Sequence, residues 1–498
     1  MESSQSLQSL DTVVQDIIGL DTRYRLADGR STRRHYLDSA ASTLALGCAR
    51  QVADALLAHY ANIHSTLHFS ARIASHAYAW AHEQVLHFVQ ADPARYTVVL
   101  AGSGCTALIN RLARRASRQR ARDVVLVSLM EHHANDLPHR QCAATVVPIP
   151  LHGDAPALGT VNLTALERLL ERYAGRVRYV AVTAASNVTG IRNPIYDIAA
   201  LAHAHGAWVL VDAAQALAHA PFAVSDTGAM ERELDAVVFS GHKLYAPGAP
   251  GAAVIRRDCL AQSEPDELGG GMVDDVSLTG YRISAQFPDR EEAGTPNLLG
   301  AVQLGAALNV LRRVGMGRIH QAEQQRVRQL LSGLQAIPGV RIYGDCALER
   351  TPRLGVVSFN VAGLEHGLVA AVLNDYHNVA VRSGCFCAHP YVRELLKPEL
   401  WALALDPDAP DAEALLQPWR GMVRASIGLY TTPADIAALV AGIDDVRSRP
   451  EHYRALYRVD AAGQFSHQSF QAPARDLFDP EAALDRVLAQ RNGTNAVL

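Results

Sequence analysis

Of the 46 lysine and arginine residues in the chain, only two are lysine, Lys243 and Lys397. Arginine carries a permanent charge on a planar fork. Lysine can shed its proton when desolvated and condense with an aldehyde. Lys243 stands in Ser240-Gly-His-Lys-Leu-Tyr-Ala-Pro-Gly. The preceding Leu234-Asp-Ala-Val-Val-Phe-Ser-Gly reads as a short buried strand ending in turn residues. That spacing puts the amine at the mouth of a sheet, where open α/β folds hold ligands. Lys397, before a proline and among charges, reads as a solvated helix end.

Four more strand-like runs end in polar residues. Tyr96-Thr-Val-Val-Leu leads into Gly102-Ser-Gly-Cys-Thr-Ala, where small residues, with Cys105 and Thr106, let helix-start amides and a hydroxyl approach a phosphate. Alone this signal is weak: many strand–helix turns look alike, and neither a P-loop ending nor a dinucleotide fingerprint is present. Val124-Val-Leu-Val-Ser is followed by Met130-Glu-His-His-Ala-Asn. There His132 would stack on a flat ligand or shuttle protons, and a plain helix-start histidine pair is the alternative. Asn187 follows Val177-Arg-Tyr-Val-Ala-Val-Thr, and Asp212 and Gln215 close Trp208-Val-Leu-Val-Asp. An aspartate at the end of such a strand is buried and needs a partner, which a protonated pyridinium nitrogen would supply. Ser240, His242 and Lys243 end the fifth strand. Together the five ends suit one planar, phosphorylated, aldehyde-bearing ligand, pyridoxal 5'-phosphate. His64 and His68, in a polar break between helices, read as solvated.

These residues need a scaffold, and the pattern supplies one. Strands alternate with helices from Tyr96 to Phe239, and the continuous Val/Leu runs fit a parallel sheet buried on both faces. After about residue 315 the texture changes. A helix over Arg318–Leu334, strands at Val340 and Leu354, and a helix from about Glu365 read as a smaller α+β domain. The expected division is an N-terminal segment (1–60) packing with the small domain, a large cofactor-binding domain (61–315), a small domain (316–460) and a tail (461–498). Residues 402–420 read as an acidic, proline-containing insertion, and 480–490 as a tail helix. Charged residues make up 19%, the net charge is -4, and no apolar run reaches the ~20 residues of a membrane span. Nucleic-acid and membrane partners are therefore not expected. Seven scattered cysteines and an N-terminal stretch without the features of a signal peptide predict a cytoplasmic enzyme with reduced thiols.

The motifs resemble fold-type I, class V aminotransferase-like enzymes, most of all the SufS-like cysteine desulfurases and selenocysteine lyases. The matching stretches are Tyr-Leu-Asp-Ser-Ala-Ala-Ser (36–42), Glu-His-His-Ala-Asn (131–135), Val-Asp-Ala-Ala-Gln-Ala (211–216), Ser-Gly-His-Lys-Leu-Tyr-Ala-Pro (240–247), Gly-Gly-Gly-Met (269–272), Glu-Ala-Gly-Thr-Pro-Asn (292–297), Arg-Ser-Gly-Cys-Phe-Cys-Ala (382–388) and Arg-Ala-Ser-Ile-Gly-Leu-Tyr-Thr-Thr (424–432). The resemblance implies a large domain built on a mostly parallel seven-stranded sheet. It implies that Lys243 joins the cofactor's aldehyde, His132 stacks on its ring, Asp212 pairs with the ring nitrogen and Gln215 reaches the ring oxygen. Thr106, Ser240 and His242, with Cys105, would hold the phosphate. Asn187 and Arg424, with Arg382, would bind the substrate's carboxylate. Thr295 would reach the phosphate of a partner subunit, implying a homodimer.

Cys387 matches the position whose thiolate attacks the substrate's sulfur, giving alanine and a persulfide that a sulfur-acceptor protein could receive. Arg382 nearby is expected to favour that thiolate. A buried structural cysteine is the plainer alternative. A zinc site on Cys385, Cys387 and His389 lacks a fourth ligand, so no metal is expected. The chain departs from the close members at Cys385-Phe386, where they carry two histidines, and in the 388–423 stretch before Arg424. A specialised class V reaction on another amino-type substrate, by C–S lysis, epimerisation or transamination, is the second expectation.

Overall fold

The computed structural model describes residues 9–118, 121–261, 263–402, 417–460 and 463–494. Most of the acidic stretch expected at 402–420 therefore lies outside the described residues.

Seven strands form the central sheet: β1 (Tyr96–Ala101), β2 (Val124–Ser128), β3 (Thr145–Ile149), β4 (Val177–Thr183), β5 (Trp208–Asp212), β6 (Ala236–Ser240) and β7 (Gly251–Arg256), in the order β1-β7-β6-β5-β4-β2-β3. The run from β3 to β6 is parallel. β7 lies antiparallel to both β6 and β1. β1 thus points the same way as the parallel set, and its C-terminal end shares their edge. β2, β4 and β6 are buried at every residue, which explains their unbroken apolar runs. Each fully buried Val, Leu or Phe there contributes roughly 1.5–3 kcal/mol over an exposed one.

The expected runs supplied five of these strands; β3 and β7 lay outside them. β3 contains Pro148, which cannot donate to a ladder, and it is tolerated because β3 is an edge strand paired only with β2. β7 opens on Gly251, where an added Cβ would fall 2.3 Å from the Gly104 carbonyl oxygen. Only glycine lets this strand pass under the turn between β1 and the next helix. That helix, α2 (Cys105–Ser117), follows α1 (Phe69–Phe88) in the chain; α3 (Ile195–Ala204) and α4 (Leu298–Val314) complete the principal cover.

A second sheet is antiparallel throughout: β8 (Val340–Ile342), β9 (Val356–Val361), β10 (Arg382–Gly384) and β11 (Met422–Ser426), in the order β8-β9-β11-β10. Helices α5 (Met316–Gln335), α6 (His366–His377) and α8 (Pro433–Ser448) pack with it around Leu330, Val357, Phe359, Val372 and Ile443. Between β10 and β11 runs α7 (His389–Ala402), so the first part of the 388–423 stretch is helix.

The N-terminal segment is shared between the two cores. His35–Tyr36 pairs in parallel with Val379–Ala380, while Val13, Ile17, Leu46 and Ala49 enter the large core. The expected tail helix is present as Pro480–Thr494. No helix among the described residues is long and apolar enough to cross a membrane.

Candidate active site

Of the residues expected to touch cofactor or substrate, all but Thr295 line one cavity of about 250 Å³. The C-terminal ends of β1, β2, β4, β5 and β6 feed one side of it, and β10, β11 and the loop after β10 feed the other.

Lys243 ends the short turn Gly241–Lys243 that follows β6. Burial holds its amine below the ordinary lysine range, with Cys105 and Asp212 opposing. An amine so placed is readily uncharged, the form that condenses with an aldehyde. Asp212 ends β5 at 4% exposure, and burial raises its pKa. The Ala214 N–H donates to Oδ1 at 2.9 Å, the one bond its carboxylate makes among the described residues. A buried carboxylate with so little support calls for a cationic partner. Burial also pushes the Cys105 thiol up to about 12, which disfavours its thiolate.

The opposite end of the cavity suits an oxyanion. Gly102, at φ +59°, turns the chain out of β1, and α2 then begins at Cys105. The Cys105 N–H donates to Ser240 Oγ at 2.9 Å, leaving the Ser240 hydroxyl proton free to donate elsewhere. Thr106 sits in the same first turn, and His242 Nδ1 lies 3.3 Å from Ser42 Oγ. A helix start with two hydroxyls and an imidazole is a ready phosphate cradle.

His132 caps a short turn: its Nδ1 accepts from the Ala134 N–H at 3.0 Å, which places the neutral ring's proton on Nε2. Burial first, then the Lys243 charge, depress its pKa to about 4, so the ring is neutral. Beneath it, Glu131 accepts from Asn135 Nδ2 (2.7 Å), from the Thr183 N–H (2.7 Å) and from Ser128 Oγ. Burial raises this carboxyl to about 8.

Arg424, on β11, is 3% exposed. It donates through Nη1 to the Asn187 carbonyl oxygen (3.0 Å) and through Nη2 to Asp38 Oδ1 (3.3 Å), and its guanidinium lies 4.7 Å from the Phe386 ring centre. Its Nε is buried without a partner among the described residues. Burial lowers its pKa to about 10, against the pull of Asp38, so the cation persists at neutral pH. Arg382 pairs with the other oxygen of Asp38 at 2.7 Å. Much of its charge is therefore already answered by Asp38. Asn187 Nδ2 donates to the Phe386 carbonyl at 2.7 Å, and Gln215 Nε2 to the Ala40 carbonyl at 2.7 Å.

The two loop cysteines face different ways. Cys387 is exposed and lines the cavity. Cys385 does not line it: its thiol donates to the Arg420 carbonyl at 3.0 Å, and burial raises its pKa. Phe386 and Cys387 both hold positive φ, 52° and 54°. Such backbone costs an L-residue roughly 1–2 kcal/mol each and persists only where neighbours hold it. One neighbour is the His133 N–H, which donates to the Cys387 carbonyl at 2.7 Å; another is the stacked His133–His389 pair, with ring centres 4.9 Å apart. No cluster fit for a metal is found among the described residues.

Thr295 lies outside this cavity, accepting from Asn62 Nδ2 at 3.0 Å. Its loop is pinned through Glu292, which accepts from Tyr78 Oη (2.5 Å) and the Leu100 N–H (2.6 Å) and pairs with His82 Nε2 (3.0 Å). Asp38, Glu131 and Glu292 stood inside the quoted motifs, but sequence reading gave none of them a task. The arginines paired with Asp38 and the partners of Glu292 lie far along the chain, where no local spacing signals them; Glu131 has Ser128 and Asn135 close in sequence and Thr183 far from it.

The class-V aminotransferase family model matches residues 35–439. A cysteine desulfurase of Salmonella choleraesuis (strain SC-B67) is 35% identical over 418 residues, 82% of this chain and 92% of that protein. Among solved structures, the apo cysteine desulfurase of Thermococcus onnurineus NA1 superposes with a TM-score of 0.74 at 28% identity, covering 89% of this chain and 99% of the other. The S-sulfonic acid form of the cysteine desulfurase CsdA from Escherichia coli gives 0.69 at 28%, with the same coverage. Over most of its length the chain belongs to the class-V aminotransferase family, within the group formed by the cysteine desulfurases.

Proposed function

We propose that this protein is a pyridoxal 5'-phosphate-dependent cysteine desulfurase that converts L-cysteine to L-alanine and leaves the sulfur as a persulfide on Cys387. One observation carries the reading: Cys387 shares a cavity with Lys243, Asp212 and Arg424, while Cys385 is turned away toward Arg420.

The residues fit the cofactor. The Asp212 carboxylate, held by a single backbone N–H among the described residues, suits a pyridinium nitrogen, the α2 start suits a phosphate, and the lowered Lys243 amine suits an aldehyde. When bound, the cofactor supplies an aldehyde for the substrate's amino group and an electron-withdrawing ring. His132 would cover that ring as a neutral imidazole. Arg424 would take the substrate's carboxylate, its Nε being a donor that no protein group among the described residues engages. Lys243, once free, would move the α-proton. The Cys387 thiolate would then attack the substrate's sulfur: the new S–S bond forms as the Cβ–S bond breaks, Cβ takes a proton to become a methyl group, and Cα regains a proton to complete alanine.

We read the chain as a cytoplasmic homodimer that passes sulfur to an acceptor protein. The exposed Thr295 loop, with Leu278 and Tyr281 exposed nearby in sequence, supports contact with a second subunit. The test is alanine release from L-cysteine by the cofactor-loaded enzyme, with mass mapping of the added sulfur. Absence of alanine, or sulfur mapped only to another cysteine, would overturn the proposal.

A further inference from the structure

Behind the wall that carries Asn187 lies a second cavity, of about 370 Å³. The two share a thin partition. Thr183 and Gln215 line the first, and the adjoining Ala184 and Ala216 line the second. The second cavity takes no part in the chemistry described above.

Its polar lining is nearly all engaged with protein. The Tyr196 hydroxyl donates to the Ala223 carbonyl (3.0 Å) and accepts from the Ala223 N–H (3.1 Å). Asp197 pairs with Arg232 at 2.9 Å. Asn193 donates to the Thr183 carbonyl (2.8 Å) and accepts from the Val161 N–H (2.9 Å). Arg350 is largely exposed and approaches Asp345 only at 3.7 Å.

Arg192 is the exception. It is half-buried, and its side chain makes no hydrogen bond or ion pair among the described residues. Burial lowers its pKa, opposed only by Tyr196, and no carboxylate supports the charge. The Thr160 hydroxyl, another lining donor, makes no hydrogen bond among the described residues. The start of α3 opens on the same space, adding its positive end. Ile195, Pro221 and Phe222 furnish apolar walls.

The Arg192 guanidinium has no ion-pair partner among the described residues, and its planar fork is shaped to take an oxyanion in paired hydrogen bonds. The volume lies in the range of small-molecule sites, which combine apolar walls with a few convergent donors. We propose that this cavity binds a small organic anion, with one carboxylate or phosphate head on Arg192 and an apolar body against Pro221 and Phe222.

The test uses the cofactor-loaded enzyme with two probes, 4-bromobenzoate and 4-bromophenyl phosphate. Crystals soaked in each are read by bromine anomalous scattering, and solution affinity is measured by calorimetry for the parent, Arg192→Gln and Arg192→Lys. The expected result is bromine beside Phe222 and an affinity at least about tenfold weaker in Arg192→Gln, with a smaller loss in Arg192→Lys, which keeps charge but not the fork. Binding of the benzoate alone assigns a carboxylate, of the phosphate alone a phosphate ester, and of both a site open to either. Alanine release without probe is expected to be unchanged in both variants, which shows that they fold. Bromine found only in the Lys243 cavity, binding at crystal concentration only, or equal affinity in parent and Arg192→Gln would each overturn the proposal.

Discussion

Replacing Arg424 by alanine tests the proposed substrate site most directly, and its size follows from the free-state geometry. Nη1 and Nη2 already serve the Asn187 carbonyl and Asp38, so only Nε starts without a partner. An incoming carboxylate therefore gains roughly one new charge-assisted bond from this residue, about 1.5–3 kcal/mol, rather than the sum of two. At about 1.4 kcal/mol per tenfold, that is an affinity loss of roughly 10- to 150-fold. Asp38 keeps its pairing with Arg382 at 2.7 Å in the variant, so the fold should survive and cofactor content should match the parent. The assay is titration of the cofactor's absorption with L-alanine, together with KM for L-cysteine. Arg424→Lys keeps the charge but not the planar fork, and should recover less than about tenfold of the loss. A shift below about threefold in Arg424→Ala, with cofactor retained, would refute the carboxylate role.

Cys387→Ala should keep the cofactor yet lose at least about 100-fold in alanine release, whereas Cys385→Ala, whose thiol faces Arg420, should change it less than about threefold; coupled alanine detection separates them. After borohydride reduction the cofactor should map by mass spectrometry to the Lys243 peptide, and Lys243→Ala should carry no covalent cofactor; label on Lys397 would refute the assignment. Glu292→Ala strips the partners of Tyr78, His82 and the Leu100 N–H at once and should cost about 3–5 kcal/mol in urea unfolding. His132, His139 and His366 are each held neutral by burial, with pKa values near 4. The unfolded chain binds their protons first, so the stability they protect is complete above about pH 6.5 and falls as pH drops toward 4. His203, raised by its bond to Asp235, acts in the opposite sense. A urea midpoint unchanged between pH 7 and pH 4.5 would contradict the buried neutral imidazoles.

The chemistry was easier to read in the sequence than the packing that supports it. The cofactor-facing residues of the large domain fall at the end of an apolar run or within a few residues of it, so Asp212 at the end of Trp208-Val-Leu-Val and Lys243 shortly after Ala236-Val-Val-Phe announce themselves by position. β3 was hidden by Pro148, which argues against a strand unless the edge position is known. β7 was hidden by the small residues at its start, of which Gly251 is demanded by close approach to Gly104. Cys385 and Cys387 differ by two positions and have the same chemistry; only the turn through Phe386 and Cys387 at positive φ sends one thiol to the cavity and the other to Arg420. Asp38 links two arginines more than 340 residues away in sequence, a relation no local pattern can carry.

The scarcity of lysine also makes the protein a convenient object for amine-selective labelling. Lys243 is sunk in the cavity, whereas Lys397 stands half in solvent on α7, paired with Glu394 at 2.7 Å. Beyond the terminal amine, an acylating dye at mildly alkaline pH therefore has one accessible side-chain target. That target lies on the helix that begins two residues after Cys387. A fluorophore attached there would sit ten residues from the thiol and would report movement of its loop without an engineered cysteine, leaving every native thiol free for the sulfur it is proposed to carry.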